Sequence, residues 1–144
     1  MTVAEVIRQK GRNIVSVAPD AGIAEIAAII ASRRIGAVVV LAEHGGLAGI
    51  VSERDVVKAL AKHGAGALAL TAGELMTRQV TTVTMATSVD QAMEIMDAGY
   101  FRHLPVMDGG GLAGIISIRD LVRHRVMLHQ RDVEALKAFV AQQK

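Results

Sequence analysis

Apolar positions along the chain follow two periods, and the order in which those periods alternate occurs twice. Ile14 to Val17, a β-branched run ended by Pro19, and Val80 to Thr84, rich in Val and Thr, predict short strands. Ile23, Ile26, Ala27 and Ile30 then recur at helical spacing, as do Val89, Ala92, Met93 and Met96. Ser88 with Gln91 three residues later has the form of a capping box, and the corresponding Gly22 is followed by Glu25. Paired strands come next, Ala37 to Leu41 with Leu47 to Val51, and His103 to Met107 with Leu112 to Ser117, each pair joined by a glycine-rich hairpin. A second helix starts at Ser52 or at Ser117. A helical prelude recurs too, because Thr2 with Glu5 and Thr71 with Glu74 both have the Thr-x-x-Glu form of a capping box.

Direct self-comparison explains this rhythm. GLAGIVSERD (Gly46 to Asp55) returns as GLAGIISIRD (Gly111 to Asp120), 65 residues on and identical at eight of ten positions. Upstream the offset is 66, from Ile35–Val40 to Phe101–Val106, and the extra residue falls in a turn, LAEHGG against MDGG. The repeating unit is therefore β-α-β-β-α, of about 55 residues, too small to close a core alone. Two such units are expected to pack as a pseudo-twofold pair in one α/β (α+β) module. The predicted limits are a first repeat at about 10–63, a connector at 64–75, a second repeat at about 76–130 and a helical extension at 131–144.

Composition narrows the chemistry. A chain of 144 residues and 15.2 kDa fits a single domain. Cysteine is absent, so disulfides, thiolate metal sites and thiol nucleophiles are excluded. Hydrophobic residues make up 51% and aromatics 2% (Tyr100, Phe101 and Phe139), which predicts an aliphatic core and a planar ligand held between aliphatic side chains, without stacking. Sixteen basic and 14 acidic residues leave a net charge of +2, with short basic runs at Arg33-Arg34 and Arg123 to Arg125 and no interleaved aromatics, which disfavours nucleic acid. The longest apolar stretch, Ile35 to Ala42, is far short of a membrane span, and the N-terminal residues hold Glu5 and no apolar signal core. A cytoplasmic location is the expectation. The five histidines form no metal-binding motif, and no metal site is expected. Gly109 to Gly114 formally matches GxGxxG but lies in a hairpin leading to a strand, not at a strand-to-helix turn. No nucleophile has a base at motif spacing, so a non-enzymatic role is expected.

The strongest chemical signal is the repeated Gly-Ile-(Val/Ile)-Ser-x-Arg-Asp, with Ser52, Arg54 and Asp55 in one copy and Ser117, Arg119 and Asp120 in the other. Ser at an N-cap with Asp three residues on satisfies orphan N–H groups and complements the helix dipole, worth about 1 kcal/mol. A helix start also suits a phosphate, and a carboxylate can accept both vicinal hydroxyls of a ribose. The residues alone leave capping and nucleotide binding both open.

These two segments, the RHLPV-type strand (Arg102 to Val106) and the order of elements from about Met1 to Gln130 closely resemble the tandem cystathionine-β-synthase (CBS) domain pair, or Bateman module, of the stand-alone kind. The resemblance implies a regulatory sensor whose cleft holds adenosine-containing ligands such as AMP, ATP, NAD/NADH or S-adenosylmethionine, and whose output is read by a separate effector protein or by the oligomer. It implies that Asp55 and Asp120 hold ribose hydroxyls and that Ser52 and Ser117 contact ribose or phosphate. The backbones of Ala37, Val38, Val39, His103, Leu104 and Pro105, with the first-strand ends near Val17 and Val83, would border adenine. Arg102 and His103 stand where the first copy has Gly36 and Ala37, so unequal sites are expected. Arg33, Arg34, Arg54 and Arg119 are further candidates for phosphate. The rival expectation is a structural or dimerisation module in which the Ser-Asp pairs only cap helices; a nucleic-acid-binding regulator is a more distant one. Val122, Val126, His129, Val133, Leu136 and Val140 follow 4-3-4-3-4 spacing, which predicts either a seam pairing two subunits into a homodimer or a helix folded back on its own domain.

Overall fold

The computed structural model describes residues 1–142 and contains two three-stranded sheets. In chain order the elements are α1 (Val3–Lys10), β1 (Ser16–Val17), α2 (Ile23–Arg33), β2 (Ala37–Leu41), β3 (Leu47–Ser52), α3 (Glu53–His63), a 3₁₀ segment (Gly64–Ala69), α4 (Ala72–Leu75), β4 (Val83–Thr84), α5 (Val89–Gly99), β5 (His103–Asp108), β6 (Gly111–Ser117) and α6 (Ile118–Gln142). β1 runs parallel to β2, and β2 pairs antiparallel with β3; β4, β5 and β6 repeat the arrangement. This is the mixed α/β pair of repeats that the sequence pattern predicts.

Both hairpins form where alternation and turn glycines place them. Gly45 in the first turn and Gly109 and Gly110 in the second all have positive φ, which a side chain would strain. The opening strands are shorter than predicted, two residues each, because only Ser16–Val17 and Val83–Thr84 find ladder partners on β2 and β5. Ala37 lies opposite Ser52 and His103 opposite Ser117, so each central strand begins beside the start of the following helix. That junction is tied by backbone bonds from Glu53 N–H to Gly36 O (2.9 Å) and from Ile118 N–H to Arg102 O (2.9 Å).

Two aliphatic cores form, and the prelude helices are exchanged between them. Val3, Val6 and Ile7 of α1 are at most 2% exposed and pack with Val83, Val89, Leu104, Val106, Ile116 and Leu121 of the second repeat. Ala72 of α4 joins Val17, Ile23, Ile26, Val38, Val40 and Val51 of the first. Burying each large aliphatic side chain contributes about 1.5–3 kcal/mol, so this exchange fastens one repeat to the other.

The exchange also explains why the expected Thr caps are absent. Thr2 and Thr71 accept no side-chain capping bond, since the first N–H groups of α1 and α4 reach carbonyls of the repeat on which they dock: Val3 to Thr87 (2.7 Å), Ala4 to Met85 (3.1 Å), Ala72 to Ala21 (2.7 Å) and Gly73 to Pro19 (2.8 Å). Orphan donors satisfied by backbone need no side-chain cap. Ser88 with Gln91 does form the predicted capping box, whereas Gly22 has no side chain to offer.

α6 runs unbroken for 25 residues, about 37 Å at 1.5 Å per residue. Only Leu121 and His124 are buried, and every residue from His129 to Gln142 is exposed. From His129 onward the helix therefore does not fold back on its own repeats, and Val122, Val126, His129, Val133, Leu136 and Val140 of the predicted seam all face solvent.

Candidate functional site: two clefts with a common wall

Both Ser-x-x-Asp motifs form closed capping boxes. Asp55 N–H donates to Ser52 Oγ (3.3 Å) while Asp55 Oδ2 accepts from Ser52 N–H (2.8 Å) and from Ser52 Oγ (3.1 Å). In the second copy Asp120 N–H donates to Ser117 Oγ (3.1 Å) and Ser117 N–H to Asp120 Oδ2 (2.8 Å). The local rule that predicts these caps is sufficient to build them, because every partner lies within three residues.

What surrounds each cap comes from both repeats. A cavity of about 860 Å³ joins Ser117, Arg119 and Asp120 to Asn13, Val15, Arg34 and Ala37 of the first repeat. A smaller cleft of about 250 Å³ joins Ser52, Arg54 and Asp55 to Gln79, Val80, Thr81, Tyr100 and Phe101 of the second. Gly36, Glu53, Arg102 and His103 line both, so the two spaces share a wall. The larger lies within the range of small-molecule sites, about 300–1,000 Å³, and the smaller just below it.

Several candidate residues do not reach these spaces. Val17 and Val83 point into the two cores, and Val38, Val39, Leu104 and Pro105 are buried within β2 and β5. The lining on the first-strand side comes instead from the residues just upstream, where the chain has left the sheet. Arg34 lines the larger cavity and Arg33 neither space. Aromatic side chains do border a cleft, contrary to the expectation from composition: Tyr100, 86% exposed, and Phe101 both line the smaller one. Two aromatics suffice when the turn that carries them ends at the site.

Electrostatics separate the two spaces. Lys10, Arg34, Arg102, Arg119 and Arg123 face Glu53 and Asp120 in the larger cavity, an excess of three positive charges without His103. Arg54, Lys58 and Arg102 face Glu53 and Asp55 in the smaller, an excess of one. Burial holds His103 below its ordinary value of 6.5, and Lys10 and Arg102 act in the same direction against the pull of Glu53 and Asp120. The far edge of the ring lies so close to Gly36 that a Cβ there would come within 2.8 Å of it, so a side chain at this position would have to displace the ring.

Lys10 is the group that motif reasoning misses. Its ammonium lies 2.6 Å from Asp120 Oδ2 and also donates to Ile115 O (2.6 Å). A signal was present: the preludes Thr2 and Thr71 are 69 residues apart, whereas Val17 and Val83 are 66 apart. The first copy thus has three more residues there, about one helical turn, and the equivalence of Ile7 with Met76 is seen in their packing, the one against Gly114 and the other against Gly49. Arg8, Gln9 and Lys10 fill that turn.

The repeated fold and the paired motifs agree with the comparison to known families, in which the family model for the CBS domain matches residues 3–62 and again 72–126. The chain belongs to the CBS-domain family. A CBS-domain protein of Agrobacterium tumefaciens has a crystal structure similar to this pair at a TM-score of 0.84, with 45% identity over 86% of this chain and 92% of that one. The mitochondrial CBS domain-containing protein CBSX3 of Arabidopsis thaliana is 30% identical over 147 residues, 96% of this chain and 71% of that protein. Another similar CBS-domain pair, at a TM-score of 0.75 and 27% identity over 85% of this chain and 94% of that one, was solved in complex with 5′-methylthioadenosine and S-adenosyl-L-methionine. In this CBS pair no helix among the described residues is long and apolar enough to cross a membrane.

Proposed function

We propose that this CBS pair is a regulatory sensor that binds adenine nucleotides, of the AMP, ATP or NAD/NADH type, in the two clefts and signals by changing the arrangement of its repeats or of its oligomer. The observation that carries the reading is the duplicate placement of a Ser-x-x-Asp helix start in the lining of each space, together with basic groups. Asp55 and Asp120 would accept ribose hydroxyls, Ser52 and Ser117 would contact ribose or phosphate, and Arg54, Arg102, Arg119 and His103 would meet phosphate. The adenosine ligands of a similar pair support the ligand class. Only different affinities for two arrangements turn such binding into a signal, read by an effector protein or by a second subunit. The exposed stripe Val122, Val126, Val133, Leu136 and Val140 on α6 supports a homodimer, since a heptad seam left in water gains by pairing. A reaction is not part of this reading.

Thermal unfolding with AMP, ADP, ATP, NAD, NADH and S-adenosylmethionine tests it. A ligand at a hundred times its dissociation constant adds about 2.7 kcal/mol. At about 2–4 °C per kcal/mol for a chain of this size, Tm should rise by several degrees. The shift should vanish in the Asp55→Ala, Asp120→Ala double variant. The completed capping boxes favour a second reading, a structural module without ligand; under it no compound moves Tm, and the double variant loses stability alone.

A further inference from the structure

We propose that Lys10 makes the Asp120 cavity select adenosine compounds by their phosphate charge, because its ammonium occupies the carboxylate that a ribose would need. The inference rests on the adenosine-ligand reading above and adds to it which members of that class each space accepts.

The turn that carries Lys10 belongs to the first copy alone and is held on the second repeat. Val6 and Ile7, buried in the second core, anchor it from the preceding turn, and Gln9 Oε1 bonds Nδ1 of the buried His124 at 2.9 Å. From there Lys10 spans to Ile115 O and Asp120 Oδ2, while Oδ1 of Asp120 takes no hydrogen bond from the described residues. The Asp120 side chain is 15% exposed and that of Lys10 32%, so the pair is partly shielded from water and not locked inside the protein.

A ribose diol that reaches Asp120 must share the carboxylate with this ammonium or displace it. A neutral nucleoside offers the displaced cation nothing in return. A sulfonium compound adds a positive charge to a cavity that already has an excess of three. A 5′-phosphate lies a few bonds from the same diol and gives Lys10 a new anionic acceptor, so the ion pair is exchanged, not lost. Selectivity arises from that difference. The Asp55 cleft works otherwise. There Asp55 is bonded only to Ser52 among the described residues, and Tyr100 supplies an aromatic face near the mouth. No ion pair has to be exchanged there, so this cleft accepts adenosine compounds with or without phosphate.

The test uses the full chain carrying Asp55→Ala, which confines binding to the Asp120 cavity, and titrates AMP and adenosine by calorimetry at one ionic strength. AMP should bind at least about tenfold tighter than adenosine, the usual worth of a charge-assisted hydrogen bond. Lys10→Met should reduce that ratio by about tenfold or more, and Lys10→Arg should keep most of it. Because both ligands are read on the same variant, loss of stability in α1 cancels from the ratio. An AMP-to-adenosine ratio unchanged by Lys10→Met, with AMP still bound, overturns the role of Lys10 and leaves the sensor reading standing. Failure of AMP and adenosine to bind even the unmodified protein overturns this inference, and failure of the whole panel of adenosine compounds overturns the sensor reading with it.

Discussion

The two clefts share a backbone, a common wall and a cap, and differ in the side chains that complete them. Each begins at a Ser-x-x-Asp cap and each is completed by the other repeat, yet one is large and cationic and the other small and flanked by aromatics. Arg34 and Tyr100 show how this arises. They occupy the same place in the two copies, the left-handed residue after α2 and after α5, with φ of 54° and 58°. That conformation costs a non-glycine residue about 1 kcal/mol, and both copies retain it. Duplication thus preserved the scaffold, strain included, while substitution at its edges gave the two spaces different chemistry.

The comparison can be broken most directly at α1. Ile7→Ala should cost about 2–5 kcal/mol, because Ile7 is 1% exposed in the second core, and hydrogen exchange should quicken in the second repeat first. Equal quickening in both repeats would show that α1 does not serve the second core alone.

Removing one carboxylate at a time comes next in size. Asp55→Ala and Asp120→Ala should each weaken nucleotide binding at its own cleft by about a hundredfold, two charge-assisted hydrogen bonds being lost. Calorimetric stoichiometry should fall by the sites affected, and loss of both sites from either single change would contradict independent caps.

The common wall supplies a sharper test. Gly36→Ala drives a Cβ to within 2.8 Å of the His103 ring, so it should cost about 1–3 kcal/mol and perturb both clefts. In a double-mutant cycle most of that cost should disappear when His103 is also Ala, and strict additivity would place the strain elsewhere.

Acid gives the smallest effect. Burial, then Lys10, hold His103 below 6.5 in the folded protein, so the unfolded chain binds the proton first and stability rises with pH. Its contribution is complete above 6.5 and is lost as pH falls through the depressed folded value. On acidification from about pH 7 to about pH 5 the unmodified protein should therefore lose more stability than His103→Gln, as read by denaturant midpoints.

Features set by neighbours within a few residues could be read from the order of amino acids alone. The doubled β-α-β-β-α order, both hairpins and the boxes at Ser52, Ser88 and Ser117 were all legible, since periodicity, turn glycines and i to i+3 capping act locally. The Ser and Asp residues of both clefts were legible for the same reason. Tertiary structure decided the rest. Docking of α1 on the second core gave its N–H groups carbonyl partners that no Thr cap could foreshadow. It also brought Lys10 to Asp120, 110 residues away, and the packing of the repeats put Tyr100 into the cleft that Asp55 lines and the His103 ring against Gly36. These contacts join residues far apart in the chain, and only the burial of two incomplete apolar faces against each other brings them together.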